Sequence, residues 1–275
     1  MPIVTLTSDW NLADFYIGAV KGRILSNCPE AVVVDINHQI EPFNILQAVY
    51  VIKNAYKNFP KGSIHIVAVD SEANNKRKHI AVKYDEHYFI GVDNGFFYLL
   101  TEGQIEKIIE LQEETVSGFP ELDMYSDISC KIIKNEGIDK LGVPRNDVMR
   151  QLPMLPVYED DYISGKVIYI DSYFNIVTNI TKELFEEIGK SRNFEIFVQS
   201  KQNVIKKLNS KYNETEEGEL LALFNTAGLL EIAINKGKAA RLLSLDTKSE
   251  IKIVFENKTK NDSSNSKNDL QGKLF

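Results

Sequence analysis

The stretch SIHIVAVD, residues 63–70, has the composition of a buried β-strand, because most of its residues before the terminal carboxylate are apolar, and several of these are β-branched. Two more segments of strand type come before it along the chain, IVTLTS (3–8) and AVVVDI (31–36). Apolar residues at helical spacing occupy the intervening segments, 12–26 and 44–59. Two successive strand–helix–strand units predict an α/β domain with a mainly parallel sheet covered by helices.

Carboxylates stand at or just beyond the carboxyl ends of these three strands. They are Asp9, Asp35 and Asp70. In open α/β sheets, ligands bind at the edge where the strands end. The sequence therefore predicts a ligand site at this edge of the sheet.

The loop after the third strand carries a cation. In VAVDSEANNKRKHI (67–80), Arg77 follows Asp70 across a polar loop without glycine. An ordinary ion pair on a solvated loop would produce the same letters as a pair held in a site. These residues alone therefore leave both interpretations open.

The first domain is predicted to continue to residue 155. IAVKYD, HYFIGVD and FFYLLT, all within 80–101, have the composition of three strands of a β-meander, with a turn around Asp93, Asn94 and Gly95. The segment QLPMLPVYEDDY (151–162), with two prolines and an acidic run, then indicates a domain boundary with an exposed connector at 156–164, although an edge loop would look the same.

Beyond the connector the pattern changes. Residues 165–256 contain short strand-like segments separated by turn signals, with one helix at KELFEEIG. This spacing predicts a smaller all-β domain, a sandwich or a barrel. The polar, low-complexity segment 257–275 is predicted to be a disordered tail.

The composition excludes several classes of protein. With 43% hydrophobic and 26% charged residues, the 275-residue chain is typical of a globular protein, and its net charge of −7 disfavours binding to nucleic acids or anionic membranes. Its two cysteines, Cys28 and Cys130, are too few for a disulfide framework, so we expect a reduced, cytoplasmic protein. We find neither an export signal nor an apolar run of spanning length.

Common catalytic motifs are missing from the sequence. It contains no GxGxxG, P-loop, GxSxG or HExxH pattern. The four histidines, His38, His65, His79 and His87, lack metal-ligand spacing. We therefore expect neither a metal site nor a cofactor.

Several phrases in the same order along residues 3–245 resemble one family. They are TLTSDWNLADFYIGAVKG, DINHQIEPFNILQAVYVI, FPKGSIHIVAVD, VDNG, LGVP, IDSYFNIVTNI and GELLALFNTAGLLEIAINKGKAARLL. The family is that of the S-adenosylmethionine hydroxide adenosyltransferases, relatives of the fluorinases and chlorinases. Shared fold alone does not establish shared activity.

The resemblance implies a fold, an assembly and a reaction. It implies an N-terminal α/β domain, a C-terminal β domain, and a homotrimer that holds the substrate between subunits. Members of the family attack C5′ of the ribose of S-adenosylmethionine with water or halide and expel methionine. The implied products here are adenosine and methionine.

The catalytic positions of the family are matched only in part. The resemblance implies that Asp70 and Arg77 position the attacking water. The family loop DPGVGxxRR, however, appears here as DSEANNKRK, and the family segment FHGRD appears as FPELD (119–123), so that Pro120 replaces the histidine. His79, two residues after Arg77, is an alternative proton carrier only if its side chain faces the site.

The positions that bind substrate in the family are better matched. The resemblance implies that Asp9 accepts the ribose hydroxyls, although Asp9 would also suit the N-cap of the following helix. It implies further contacts to ribose, to adenine and to the methionine end of the substrate by Phe43, Asp171, Tyr173, Asn175 and Thr226. Phe174 stands where the family pattern has glycine, where it would crowd the base or stack on it.

Three functional hypotheses follow from these observations. The chain is an S-adenosylmethionine hydrolase, a catalytically impaired module that binds adenosine or S-adenosylmethionine, or a structural protein with a vestigial pocket. The retained carboxylates and Arg77 argue against the third. Pro120 is the residue that separates the first from the second.

Overall fold

The computed structural model describes residues 1–112, 118–200 and 202–256. The chain divides into two compact units, Met1–Pro153 and a second unit that begins at Met154. The tail predicted at 257–275 lies outside the described residues. No helix in the described part of the chain is long and apolar enough to cross a bilayer.

The first unit alternates strands and helices and then adds a meander. Its described part contains β1 (Ile3–Ser8), α1 (Tyr16–Asn27), β2 (Val32–Asn37), α2 (Ile45–Ala55), β3 (Ile64–Ala68), β4 (His79–Tyr84), β5 (His87–Val92), α3 (Phe96–Thr101), β6 (Lys107–Leu111), α4 (Ser126–Ile133) and β7 (Gly142–Arg145). A π-helical turn, Glu121–Tyr125, runs directly into α4.

The sheet of the first unit is mixed, so the prediction of a mainly parallel sheet is not confirmed. The strand order is β2-β1-β3-β5-β4-β6-β7. The pairings among β2, β1, β3 and β5 are parallel, whereas the remaining three are antiparallel. The direction reverses because Asp85 and Glu86, both with positive φ, form a tight turn between β4 and β5. A two-residue turn can join only antiparallel strands.

The predicted strand FFYLLT is the helix α3, so this prediction was wrong. Gly95, with φ of 100°, starts the helix, and Glu102, with φ of 54°, ends it. Five of the six residues are buried, and such an aromatic run looks like a strand because burial on every side removes the helical periodicity. Burial between the sheet and α2 stabilises the helix in place of any polar face.

Helices cover both faces of this sheet. Ile64 and Ile66 of β3 pack in a core with α1 and α4. Val67, on the opposite face of β3, packs in a second core with α2 and α3. The two cores fix the positions at which β1 and β3 end.

The second unit is an antiparallel sheet with two short helices. Its described elements are β8 (Val157–Glu159), β9 (Tyr162–Ile170), β10 (Ile176–Thr181), α5 (Lys182–Gly189), β11 (Phe194–Val198), β12 (Val204–Ile205), β13 (Leu220–Phe224), β14 (Leu229–Ile234), α6 (Ala239–Leu242) and β15 (Glu250–Phe255). The helix predicted at KELFEEIG is α5. The stretch 156–164, which we predicted to be a connector, includes β8 and the start of β9.

This second sheet is nearly closed. Its order is β12-β11-β15-β9-β10-β14-β13, with β8 paired to β9, and every pairing is antiparallel. The end strands β12 and β13 lie beside each other, so the sheet curls around its main apolar core. Of the two architectures predicted from the sequence, this arrangement is closer to the barrel.

A glycine substitution tests the close packing of β6 against β7. A Cβ atom at Gly142 would overlap the backbone carbonyl of Glu110, which cannot move without breaking the ladder. We expect Gly142→Ala to lower the free energy of unfolding by about 1–3 kcal/mol in urea denaturation. The control is Gly22→Ala in α1, where the added methyl group meets nothing within 4 Å and helix propensity favours alanine. Equal stability of the two variants would contradict the packing described here.

Candidate active site

The ends of β1 and β3 meet at the carboxylate of Asp9. Its Oδ2 atom accepts hydrogen bonds from the backbone N–H of Phe43, at 3.0 Å, and of Asp70, at 3.2 Å. Its own N–H donates to Ala68 O. One carboxylate thus joins β1, the end of β3 and the loop before α2.

Asp9 does not cap the following helix. Helix α1 begins at Tyr16, and Phe15 at its N-cap makes no side-chain hydrogen bond. The alternative interpretation of Asp9 as an N-cap was therefore wrong. Phe43, whose backbone N–H donates to Asp9, is 73% exposed.

Asp70 and Arg77 form a close ion pair. Arg77 Nη2 lies 2.8 Å from Asp70 Oδ2, and both side chains are 23% exposed. The same nitrogen donates to the carbonyl oxygen of Asp70. The loop closes without glycine because the Asn74 side chain accepts from the N–H groups of Lys76 and Arg77.

Asn94 fixes the backbone of Asp70, and we did not identify it from the sequence. Its buried Nδ2 donates to the carbonyl oxygens of Val69 and Asp70, at 3.0 and 3.1 Å. Its Oδ1 accepts from the N–H of Phe96. We took the VDNG segment for a hairpin turn, so the signal was present but was assigned to the wrong structure.

Glu121 is a buried acid beside these residues and was also missed. It is 4% exposed and is the first residue of the π-helical turn, directly after Pro120. Burial, together with the nearby charge of Asp9, raises the pKa of Glu121, while a hydrogen bond from the Ser71 hydroxyl partly opposes this shift. Helical π-turns are frequent at functional sites.

An aromatic group covers the start of the same turn. The ring of Phe119 lies 5.4 Å from the rings of both Trp10 and Tyr16, in edge-to-face contact. Trp10 directly follows Asp9 in the chain. Phe119 lies two residues before Glu121 in the chain, so this aromatic group packs at the start of the segment that carries the buried acid.

His79 lies at the other end of the π-helical turn. Its Nδ1 is 2.7 Å from the hydroxyl of Tyr125, and both residues are buried. The two rings pack edge to face. The structure thus fixes the His79 imidazole against the core of the α4 layer.

In the second unit, Asp171 organises the turn between β9 and β10. Its Oδ1 accepts from the N–H groups of Tyr173 and Asn175, and its Oδ2 accepts from Asn175 Nδ2. Asn175 is buried, whereas Tyr173 is 76% exposed. The turn lines a cavity of about 630 Å³ together with Tyr212 and Lys238.

Phe174 has a left-handed backbone conformation, which accounts for the glycine at this position of the family pattern. Its φ is 66°, in the left-handed region that favours glycine. Its ring packs against the core, and the Arg241 guanidinium lies 4.1 Å from the ring centroid. This face of the ring is therefore occupied by a cation from the chain itself.

Thr226 is separated from Asp171, Tyr173 and Asn175 within this unit. It lies exposed in the turn between β13 and β14, which contacts the end of β10 through Lys182 N–H and Gly228 O. The Asp171 turn precedes the opposite end of β10. The six-residue strand β10 lies between them and spans roughly 17 Å at about 3.3 Å per residue.

Two histidine contacts also escaped the sequence analysis. His38 lies between Ser8, at 2.7 Å, and Asp35, at 3.1 Å, but Ser8 is only 1% exposed and cannot reach a substrate. His65 Nε2 lies 3.2 Å from His87 Nδ1, and burial lowers the pKa of His65 to about 3. Among the described residues, no three acidic, histidine or cysteine side chains are placed to hold a metal ion.

Comparison with known proteins identifies the family. The model of the SAM hydroxide adenosyltransferase N-terminal domain matches residues 4–142, and that of the C-terminal domain matches residues 165–252. A protein of Methanocaldococcus jannaschii named (R)-S-adenosyl-L-methionine hydrolase is 32% identical, over 93% of this chain and 97% of its own.

Two further proteins match this chain over most of its length. A fluorinase of Actinopolyspora mzabensis is 23% identical over 92% of this chain and 97% of its own. The crystal structure of an uncharacterized conserved protein from Thermotoga maritima superimposes with a TM-score of 0.80 at 28% identity, over 92% of this chain and 99% of that one. The resemblance noted in the sequence is thus confirmed, and the chain belongs to the SAM hydroxide adenosyltransferase family.

Proposed function

We propose that this protein is an enzyme that hydrolyses S-adenosylmethionine to adenosine and methionine. The observation that carries the proposal is the Asp70–Arg77 pair, held beside Asp9 where β1 and β3 end. Relatives that align over nearly the whole chain and are named for this activity support it.

The chemistry suits the residues of this edge. Water attacks C5′ of the ribose, the C5′–S bond breaks, and its electron pair leaves with the sulfur of methionine. A sulfonium is a good leaving group, so the reaction needs neither a cofactor nor an acid to protonate methionine. The protein must instead position a desolvated nucleophile in line with the C–S bond.

In this proposal Arg77 and Asp70 act on the water. The guanidinium favours the hydroxide form and holds it electrostatically, while the carboxylate orients the water. Their shared exposure of 23% leaves the pair accessible to a small molecule yet partly shielded from bulk solvent. The close contact of the two side chains keeps both in a fixed orientation.

The remaining predicted residues bind the substrate. Asp9 accepts the ribose hydroxyls through Oδ1, while its Oδ2 holds the backbone N–H groups of Phe43 and Asp70. Phe43 packs near the ribose. Contacts to adenine and to methionine are made by Asp171, Tyr173, Asn175 and Thr226. Asp171 already accepts three hydrogen bonds within its own turn, so its share in binding the methionine ammonium is an added contact.

Replacing Arg77 by lysine tests the catalytic pair. Lysine keeps the charge but loses the planar donors, so we expect turnover to fall by about 10²-fold or more while substrate affinity stays within a few-fold. The double replacement of Asp70 and Arg77 should cost little more than either single one. Adenosine release, followed by chromatography, is the measurement.

The matched control is Arg145→Lys. Arg145 is also 23% exposed and pairs with buried Asp93, at 3.3 Å, but has no proposed role in binding or catalysis. We expect this variant to keep its turnover. If Arg77→Lys instead releases adenosine at nearly the full rate, Asp70 and Arg77 form an ordinary ion pair on a solvated loop and do not act in catalysis.

The names of the relatives suggest a stereochemical preference. Four of them are named for the (R) configuration at sulfur. Inverting the sulfonium moves the methionine arm relative to the ribose, so only one epimer places C5′–S in line with the held water. In a mixture of both epimers, we expect the (R) form to disappear first by chiral chromatography. Equal consumption of both epimers would refute this preference.

We further propose a homotrimer as the active form, because the family resemblance implies a substrate held between subunits. Light scattering at micromolar concentration should give about three times the chain mass of 31.3 kDa. A monomer that still releases adenosine at full rate would refute this assembly.

A further inference from the structure

Ser71 and Glu121 bring together two stretches of the chain that are 50 positions apart. Ser71 directly follows Asp70, and its hydroxyl donates a hydrogen bond to the Glu121 carboxylate. Both lie in stretches that depart from the family pattern, DSEANNKRK and FPELD. Ser71 stands at the proline of the family loop, and Glu121 stands at the glycine that follows the family histidine, so the family pattern has no counterpart of this hydroxyl–acid pair.

The surroundings of Glu121 are unusual for a structural carboxylate. The carboxyl group is almost fully buried, and within the described part of the chain its hydrogen bonds come from the Ser71 hydroxyl and its own backbone N–H. The charge that acts on it is the like charge of Asp9, and Ser71 directly follows Asp70 of the Asp70–Arg77 pair. A buried carboxylate without an opposite charge destabilises a fold, so packing alone gives no reason for it.

We propose that Glu121 is a positioning residue that takes up the proton of the attacking water through the Ser71 hydroxyl. The inference rests on the proposed hydrolysis. It gives a proton acceptor to a site in which Pro120 stands at the position of the family histidine. Ser71 is the group that touches the water, and Glu121 acts behind it.

The step balances in atoms and electrons. As the water oxygen bonds to C5′ and the sulfur leaves with the C–S electron pair, one water proton passes to Ser71 Oγ. The hydroxyl proton of Ser71 passes at the same time to the Glu121 carboxylate, which becomes neutral. Glu121 later returns the proton to solvent, and Ser71 ends as it began.

The raised pKa of Glu121 fits this role. Burial and the Asp9 charge shift it upward from the ordinary 4.5, towards the range in which a base accepts a proton efficiently near neutral pH. Other titratable or charged groups around the turn are the Asp70–Arg77 pair, Asp123 on the turn itself, the Arg23–Asp127 pair on the adjoining helices, and His79, which is hydrogen-bonded to Tyr125. Turnover should therefore rise with pH as Glu121 ionises, with a midpoint above 4.5.

The test compares Glu121→Gln and Ser71→Ala with Glu72→Gln. Glu72 is an exposed glutamate on the same loop and serves as the matched control. We expect the first two variants to lose about 10²-fold in kcat, with KM within a few-fold, and to lose the acidic limb of the pH profile. Glu72→Gln should keep both the rate and the profile.

Two further measurements exclude a merely structural role. Above the pKa of folded Glu121, its ionised form destabilises the protein, so Glu121→Gln should melt about 2–4 °C higher than wild type, and the gap should close below pH 4.5. Formate should restore part of the turnover of Glu121→Ala, since it supplies a carboxylate where the side chain was removed. It should not rescue Glu121→Gln.

The outcomes separate this inference from the proposed function. If wild type releases adenosine and Glu121→Gln does so at the same rate with the same pH profile, the proton role is wrong and the hydrolase stands. If Glu121→Gln is slower but also melts lower, and formate rescues nothing, Glu121 is structural and the inference fails. If wild type releases no adenosine at any pH, the proposed function fails, and the proton role fails with it.

Discussion

A single oxygen atom, Asp9 Oδ2, holds the candidate site together. The two residues that donate their N–H groups to it, Phe43 and Asp70, both have left-handed backbones, with φ of 66° and 47°. Each such residue costs of order 1 kcal/mol and persists only where its surroundings enforce it. Here the carboxylate enforces both, with Asn94 and Arg77 holding the carbonyl of Asp70 from the other side. The hydrogen bonds that hold this strained backbone also fix the orientation of Asp70, which the proposed reaction uses.

Sequence periodicity predicted the elements whose surroundings are regular. The segments 3–8, 31–36 and 63–70 correspond to β1, β2 and β3, because strands covered by helices are nearly continuous apolar runs. The prediction of a mainly parallel sheet is not confirmed, because two of the predicted meander segments form β4 and β5, and β4 and the strands beyond it extend the same sheet in antiparallel pairings. Helix α3 was mistaken for a strand because burial of five of its six residues removes the periodic pattern of polar and apolar residues that marks a helix.

The residues of the candidate site could be predicted from the sequence only in part, because some of them meet through contacts between distant segments. The spacing of Asp70 and Arg77 is local, and the structure holds them 2.8 Å apart, although their chemical roles stay predictions. Asn94 and Glu121 act through contacts with loops that are distant in sequence, which no local pattern records. Thr226 and Asp171 were both predicted to contact the substrate, and within this unit they lie at opposite ends of β10, so their joint role stays a prediction.

Phe43 and Tyr173 keep their rings largely in water, at 73% and 76% exposure. Aromatic rings of this size bury about 150–250 Å² when they are covered. A ligand that covered either ring would leave a thermodynamic mark, because withdrawing apolar surface from water lowers the heat capacity of the complex. The enthalpy of binding would then become more negative as the temperature rises, and the slope of that change would count the rings that the ligand covers.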